Sequence, residues 1–271
     1  MTTEALWQLD TCERISKALS GLPSVRALWL GGSLARDQAD RFSDIDLVAL
    51  IADATLGEAI SNIETLLASE FVFVLVRNRG DEQHRLLNFV TDEWKRFDLN
   101  VFTADAIGRS ELRGLRKLFD KDGRDLRVGH GEPPKREVTA EQVYFVVSEF
   151  IRVLGLLPVV MHRRDFVGAV SGSGLLREHL VTLLQYEQTG QTRTGALNDT
   201  KSLTPAAASA ILGLPALWAE ESAIVDFNRS CLDIFIQYGP RISEQYHVEW
   251  PVGLLEAVRS RLARDLGVEL N

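Results

Sequence analysis

Cysteine is scarce in this chain of 271 residues, where Cys12 and Cys231 stand alone and far apart. That excludes a disulfide framework and a cysteine-ligated zinc site. A basic excess is missing too: 38 acidic side chains face 30 basic ones, for a formal net charge of −8. A protein that works on nucleic acid needs a basic surface to displace counterions. The balance therefore disfavours a nucleic-acid partner and suits a small or cationic substrate. The opening MTTEALWQLD has neither a basic start nor an apolar h-region, so no secretory signal is expected. No apolar run reads as a membrane span and no low-complexity tract is present. The expectation is a cytoplasmic protein without a membrane partner. What remains is an ordinary globular composition, 45% apolar and 25% charged, with enough chain for one large or two ordinary cores.

The most informative stretch runs from Leu28 to Leu50, LWLGGSLARDQADRFSDIDLVAL. It reads as an apolar strand, a glycine-serine turn, a short polar excursion and a second apolar strand. Residues two apart in a strand share a face, so Asp44 and Asp46 project together while Ile45 and Leu47 point into the core. Two neighbouring carboxylates repel unless a cation lies between them. Oxygen ligands suit a hard ion such as Mg²⁺, which binds one or two carboxylates together with substrate phosphates. Gly31, Gly32 and Ser33 supply a backbone that a phosphate can approach closely, with N–H groups and a hydroxyl to donate. Phosphate cradle and metal carboxylates at one end of two adjacent strands imply a site for a nucleoside triphosphate.

Gly32-Ser33, then Asp44-x-Asp46, with an arginine after the turn, resembles the signature of the nucleotidyltransferase superfamily that includes polymerase beta. Asp37 departs from the pattern, since many small members carry glycine there. Further on, KRFDLNVF alternates Phe97, Leu99 and Val101 with Arg96, Asp98 and Asn100, giving a strand with one apolar and one polar face. In the resemblance Asp98 matches the third acid, which completes the metal site with Asp44 and Asp46 and accepts the nucleophile's proton. Glu93 is the fallback base. The resemblance implies two Mg²⁺ ions and ATP as donor, with Gly31, Gly32, Ser33 and Arg36 around the phosphates.

The expected fold class is α+β, with a mixed sheet flanked by helices over 1–135 and a helical bundle over 136–271. In the first part, Leu9, Cys12, Ile15 and Leu19 predict a helix closed by Gly21 and Pro23, and Val25–Leu30 a strand. Ser33–Asp37 predicts a short helix, and Leu56, Ile60, Ile63 and Leu67 a longer one. The unbroken apolar run Phe71–Val76 predicts a strand buried on both faces. A strand over Arg85–Val90 and a helix over Ile107–Asp120 follow. The glycine-, proline- and charge-rich GRDLRVGHGEPPKRE marks the boundary and holds His130, expected to be exposed.

In the second part, Thr139 and Gln142 form a capping box ahead of Val143, Val146, Phe150, Leu154 and Leu157, up to Pro158. Leu175–Tyr186 predicts a helix after a flexible SGSG. Pro205 opens a short helix, Phe227–Tyr238 a long one ending at Gly239-Pro240, and Pro251 a last one carrying Leu254, Val258 and Leu262. A sheet domain followed by such a bundle is similar to the aminoglycoside and lincosamide nucleotidyltransferases, also at SEF (Ser148–Phe150) and QYHVEWPVGLLEAV. This implies an antibiotic hydroxyl as acceptor, in a monomer or homodimer. Glu141, Glu149, Asp165, Glu178 and Glu187 are candidates for attracting its amines, Glu149 first because it borders the apolar stripe. Two other classes stay open: a protein AMPylating enzyme or antitoxin of the minimal nucleotidyltransferase type, and a nucleotide-binding module without turnover. Arg241 and His247 also resemble the R-x₅-H motif of helical HEPN ribonucleases.

Overall fold

A computed structural model of the chain describes residues 6–52, 56–109, 112, 114–123, 137–192 and 199–267. The boundary loop with His130 lies outside these residues. The chain divides into two compact units, Met1–Pro134 and Lys135–Asn271.

The first unit runs α1 (Leu6–Ser20), β1 (Val25–Leu30), α2 (Gly32–Ala35), β2 (Ile45–Ile51), α3 (Leu56–Glu70), β3 (Phe73–Gly80), β4 (His84–Thr91), β5 (Arg96–Phe102), α4 (Ala104–Arg109) and β6 (Arg116–Asp120). Its six strands lie in the order β3-β4-β5-β2-β1-β6. β2 and β5 are parallel, and the other neighbours are antiparallel, so the sheet is mixed. Strand alternation sorts the side chains between two faces. Leu28, Leu30, Ile45, Leu47, Phe89, Phe97 and Leu99 pack with Cys12, Ile15 and Leu19 of α1 and Ile60, Ile63 and Leu67 of α3. On the other face Trp29, Val48, Leu50 and Phe102 form a smaller cluster with Ile107 of α4. Beyond that cluster this face is polar, and the candidate site lies there.

Two expectations fail in this unit. The run at Phe71–Val76 does not make a strand buried on both faces. β3 is the sheet's edge, and Val72, Val74, Leu75 and Val76 are exposed, Val72 by 66%. Composition cannot show how many neighbours a strand will have. Only Phe71 and Phe73 are drawn inward, against Phe97 and Phe89. Ile107–Asp120 is not one helix either. α4 stops at Arg109, and Arg116–Asp120 becomes a strand along the free edge of β1. The spacing of Leu112, Leu115 and Leu118 fits a helix, but a distant backbone with unpaired hydrogen-bonding groups overrides it.

The second unit comprises α5 (Ala140–Leu154), α6 (Leu157–His162), α7 (Phe166–Thr189), a 3₁₀ turn at Asp199–Ser202, α8 (Pro205–Leu212), α9 (Glu221–Gln245) and α10 (Val252–Leu266). The Thr139–Gln142 capping box forms as expected. Phe150 of α5 stacks on Phe235 of α9 at 4.0 Å, and Trp250 packs on Phe235 at 5.0 Å. Ala140–His162 is long and apolar enough to cross a membrane, contrary to the sequence expectation, yet 56% of its most apolar window is buried within the protein. The stretch comprises α5 and α6, whose buried side chains belong to the core of the bundle.

The SGSG stretch is helical rather than a flexible lead-in. It lies inside α7, where buried Ser173 accepts a 2.6 Å hydrogen bond from Asn228 Nδ2 of α9. Ser173 alone of the four is seen to meet α9; a Cβ added to Gly172 or Gly174 would meet open space. α9 likewise passes through Gly239-Pro240 and ends only at Gln245. Helical proline costs about 3 kcal/mol, and α9 continues through it; Gly239 serves a different need, since a Cβ there would collide with the Trp250 ring. In α10 the buried side chains are Leu255, Val258 and Leu262, whereas Leu254 is exposed.

Candidate functional site

The site is built where β1, β2, β4 and β5 lie side by side. β1, buried at every position but Arg26, delivers Gly31 to the strand end, where Gly31 N donates to Asp46 O at 2.8 Å. The chain then turns into the single turn of α2. Gly32 has φ +59, and a Cβ at this position would overlap the Asp46 carboxylate. Only glycine lets the turn lie directly on that carboxylate. The Ser33 hydroxyl has no protein partner among the described residues and is free to donate. Asp37, where the sequence departs from the superfamily pattern, has φ 56. The left-handed conformation explains the usual glycine, and aspartate is among the residues that tolerate it. Arg116 pairs with Asp37 at 3.5 Å, so Arg36 is left with a long 3.4 Å contact to Gln38 and acts on Asp46 through its charge.

The parallel register of β2 and β5 sets Asp46 directly beside Asp98. Their alternate neighbours Ile45, Leu47, Phe97 and Leu99 are fully buried on the other face, which forces both carboxylates onto the polar face. Asp44 immediately precedes β2, within 3.9 Å of Arg96. Burial, and then the charges of Asp44 and Asp98, push Asp46 up from 3.8 to about 6, with Arg36 opposing. Asp46 is therefore held among like charges that Arg36 only partly offsets.

Two residues in it were not singled out in the sequence. Asn88 of β4 donates to Asp98 Oδ1 at 2.8 Å and accepts from Arg79 at 2.9 Å. Arg96 holds Asp44 and donates to Phe42 O at 3.3 Å. Both had a signal: Arg96 is two residues before Asp98 and so on its face, and Asn88 is an amide set in an apolar strand.

Among the described residues no group of three or more His, Cys, Asp or Glu side chains converges tightly enough to hold an ion unaided. Two adjacent carboxylates, a third nearby and a glycine-serine turn fit an ion shared with substrate phosphates rather than an all-protein cage. The raised Asp46 points the same way, because a cation or a proton is what such a pair lacks. Glu93 is paired with Lys95, away from this role.

The acceptor candidates all lie in the helical unit. Glu149 is held by Arg152 one turn away, through bonds of 2.7 and 2.5 Å, which lower its carboxyl below the usual range. Asp165 caps α7, accepting from Gly168 N at 2.9 Å, and Glu187 pairs with Arg241 at 2.8 Å. Glu178 lines a largely apolar cavity of about 450 Å³ with Arg177, Val181, Leu203, Ile211 and Phe227. Arg241 is thus committed to Glu187 and to the Tyr238 ring, and His247 is exposed beyond α9.

Residues 12–98 match the nucleotidyltransferase domain family, a span that includes β1 to β4, the glycine-serine turn and all three aspartates. No curated protein sequence matches the chain. Among solved structures, an aminoglycoside 6-adenyltransferase from Bacillus subtilis aligns over 92% of this chain and 95% of its own, at 13% identity and a TM-score of 0.43. A nucleotidyltransferase-like protein from Exiguobacterium sibiricum aligns over 95% and 87%, at 12% identity and TM-score 0.34. The Cid1 poly(U) polymerase aligns over 69% and 51%, at 13% identity and TM-score 0.32. Likenesses at this level carry no argument about substrate.

Proposed function

We propose, from the nucleotidyltransferase-type domain over residues 12–98, that the chain transfers a nucleoside monophosphate, AMP from ATP, to a hydroxyl of a small molecule. One observation carries the reading: Asp46 and Asp98 stand side by side on parallel strands, under a turn whose Gly32 rests on the Asp46 carboxylate. Gly31, Gly32 and Ser33 are assigned to the β- and γ-phosphates, with Arg36 balancing charge beside them. Asp44, Asp46 and Asp98 would hold Mg²⁺, which neutralises phosphate charge and acidifies the acceptor hydroxyl when bound. Asn88 fixes one oxygen of Asp98, leaving Oδ2 to take the hydroxyl proton. The acceptor oxygen then bonds to the α-phosphorus as the bond to pyrophosphate breaks. Holding reactants in line is the remaining contribution of the protein.

For the acceptor we retain an aminoglycoside or lincosamide hydroxyl, with Glu149 as the proposed contact; a cationic acceptor there must share its carboxylate with Arg152. The test is pyrophosphate release from ATP and Mg²⁺ with streptomycin, spectinomycin, kanamycin or lincomycin, and a mass increase of one AMP on the drug. Release that disappears in Asp44→Asn and Asp98→Asn supports reaction and acceptor together. Silence with every drug, while a partner protein gains AMP, would replace the small-molecule acceptor with a protein side chain.

A further inference from the structure

The turn that delivers Asp44 is held from outside the family match. Gln8, on the first turns of α1, is fully buried. Its Nε2 donates to Asp40 O at 2.8 Å and to Ser43 O at 3.1 Å. Two facing carbonyls require donors, which fixes the amide's orientation. Between those carbonyls the chain is tightly folded: Ser43 N returns to Asp40 O at 3.1 Å, and Asp40 Oδ1 accepts from Phe42 N at 3.0 Å and from the Ser43 hydroxyl at 3.1 Å. Trp7 Nε1 adds a bond to Arg41 O at 3.0 Å.

The Ser43 carbonyl belongs to the peptide from which Asp44 departs. Gln8 thus fixes the plane that sets the direction of the first carboxylate, while Arg96 restrains that carboxylate from the β5 side at 3.9 Å. The amide does so at a cost, since Gln8 Oε1 is buried without a hydrogen-bond partner among the described residues. An apolar side chain would avoid that cost, so the two donated bonds are what the glutamine contributes. We infer that Gln8 is a positioning residue for Asp44, holding the Asp40–Ser43 turn in the geometry that divalent-ion binding needs.

The inference rests on the nucleotidyl-transfer reading, and its test separates the two. Mn²⁺ binding to the full chain, with a non-hydrolysable ATP analogue, is followed by electron paramagnetic resonance. Wild type is compared with Gln8→Met and Gln8→Leu, which keep bulk and remove both donors, each first checked for folding by circular dichroism. Partners that orient metal ligands are typically worth 10–100-fold in affinity. The expected result is Mn²⁺ affinity about tenfold weaker in both variants, and no further loss when either is combined with Asp44→Asn. Unchanged affinity, or an equal loss in the Asp44→Asn background, overturns the role of Gln8. Failure of both variants to fold makes Gln8 a residue of the fold alone and overturns it too. If wild type itself binds no Mn²⁺, the nucleotidyl-transfer reading falls and the positioning role with it.

Discussion

Asp46→Asn is the perturbation that separates what the site costs the fold from what it contributes to chemistry. The carboxyl rises from 3.8 to about 6, about two units, so its ionised form penalises the folded state by about 3 kcal/mol. The folded protein binds this proton more tightly than the unfolded chain. The penalty is therefore absent below the unfolded value of 3.8, grows as pH rises, and is complete above about 6. Asparagine keeps the shape and removes the charge, and its amide can donate to the neighbouring carboxylates. Without divalent ions Asp46→Asn should be the more stable protein at pH 8, by about 3 kcal/mol, or about 6–12 °C for a chain of this size. At pH 5 about half of the difference should remain. Scanning calorimetry of both proteins at the two pH values measures it, and the Mg²⁺–ATP pair should then stabilise wild type but not the variant. If Asp46→Asn melts at or below wild type at pH 8, or if the gap ignores pH, the charge at Asp46 is compensated and the electrostatic argument is wrong.

Gly32→Ala meets both a φ of +59 and the Asp46 carboxylate. The conformation alone costs about 1–2 kcal/mol, so the unit should melt lower and lose ATP-analogue binding by titration calorimetry. Asn88→Leu removes the 2.8 Å bond to Asp98; a hydrogen bond to a charged group is worth about 1.5–3 kcal/mol, so kcat should fall at least about tenfold while ATP affinity holds. Burial pushes the thiols of Cys12 and Cys231 up to about 11 and 12, so neither should react with a disulfide reagent at pH 8 until the protein is unfolded. Phe150→Ala removes a stacked, fully buried ring from the bundle and should cost about 3–5 kcal/mol by urea denaturation.

Much of the site was legible because it depends on local periods. Asp44-x-Asp46 and Arg96-x-Asp98 are written in strand alternation, and the neighbouring Ile45, Leu47, Phe97 and Leu99 say which way the acids point. The glycine-serine turn is legible for the same local reason. Helices with strong stripes, such as Leu56–Leu67, needed nothing from elsewhere.

The failures were all nonlocal. Phe71–Val76 has the composition of a central strand, yet its place at the sheet edge was decided by the pairing of β4 with β5. Arg116–Asp120 became a strand because β1 had a free edge, and Ser171–Gly174 stayed helical because Asn228 and α9 pack on it. The sequence by itself determined which acids stand in the candidate site and which face of their strands they occupy, since φ/ψ alternation is a property of the backbone. Tertiary structure alone decided that Asp46 lies beside Asp98, that Asn88 reaches Asp98, and that Gln8 clamps the turn before Asp44. Those pairs join strands and helices 10 to 52 residues apart, counted from Asn88 to Asp98 and from Asp46 to Asp98, and no period in a chain encodes a partner at that distance.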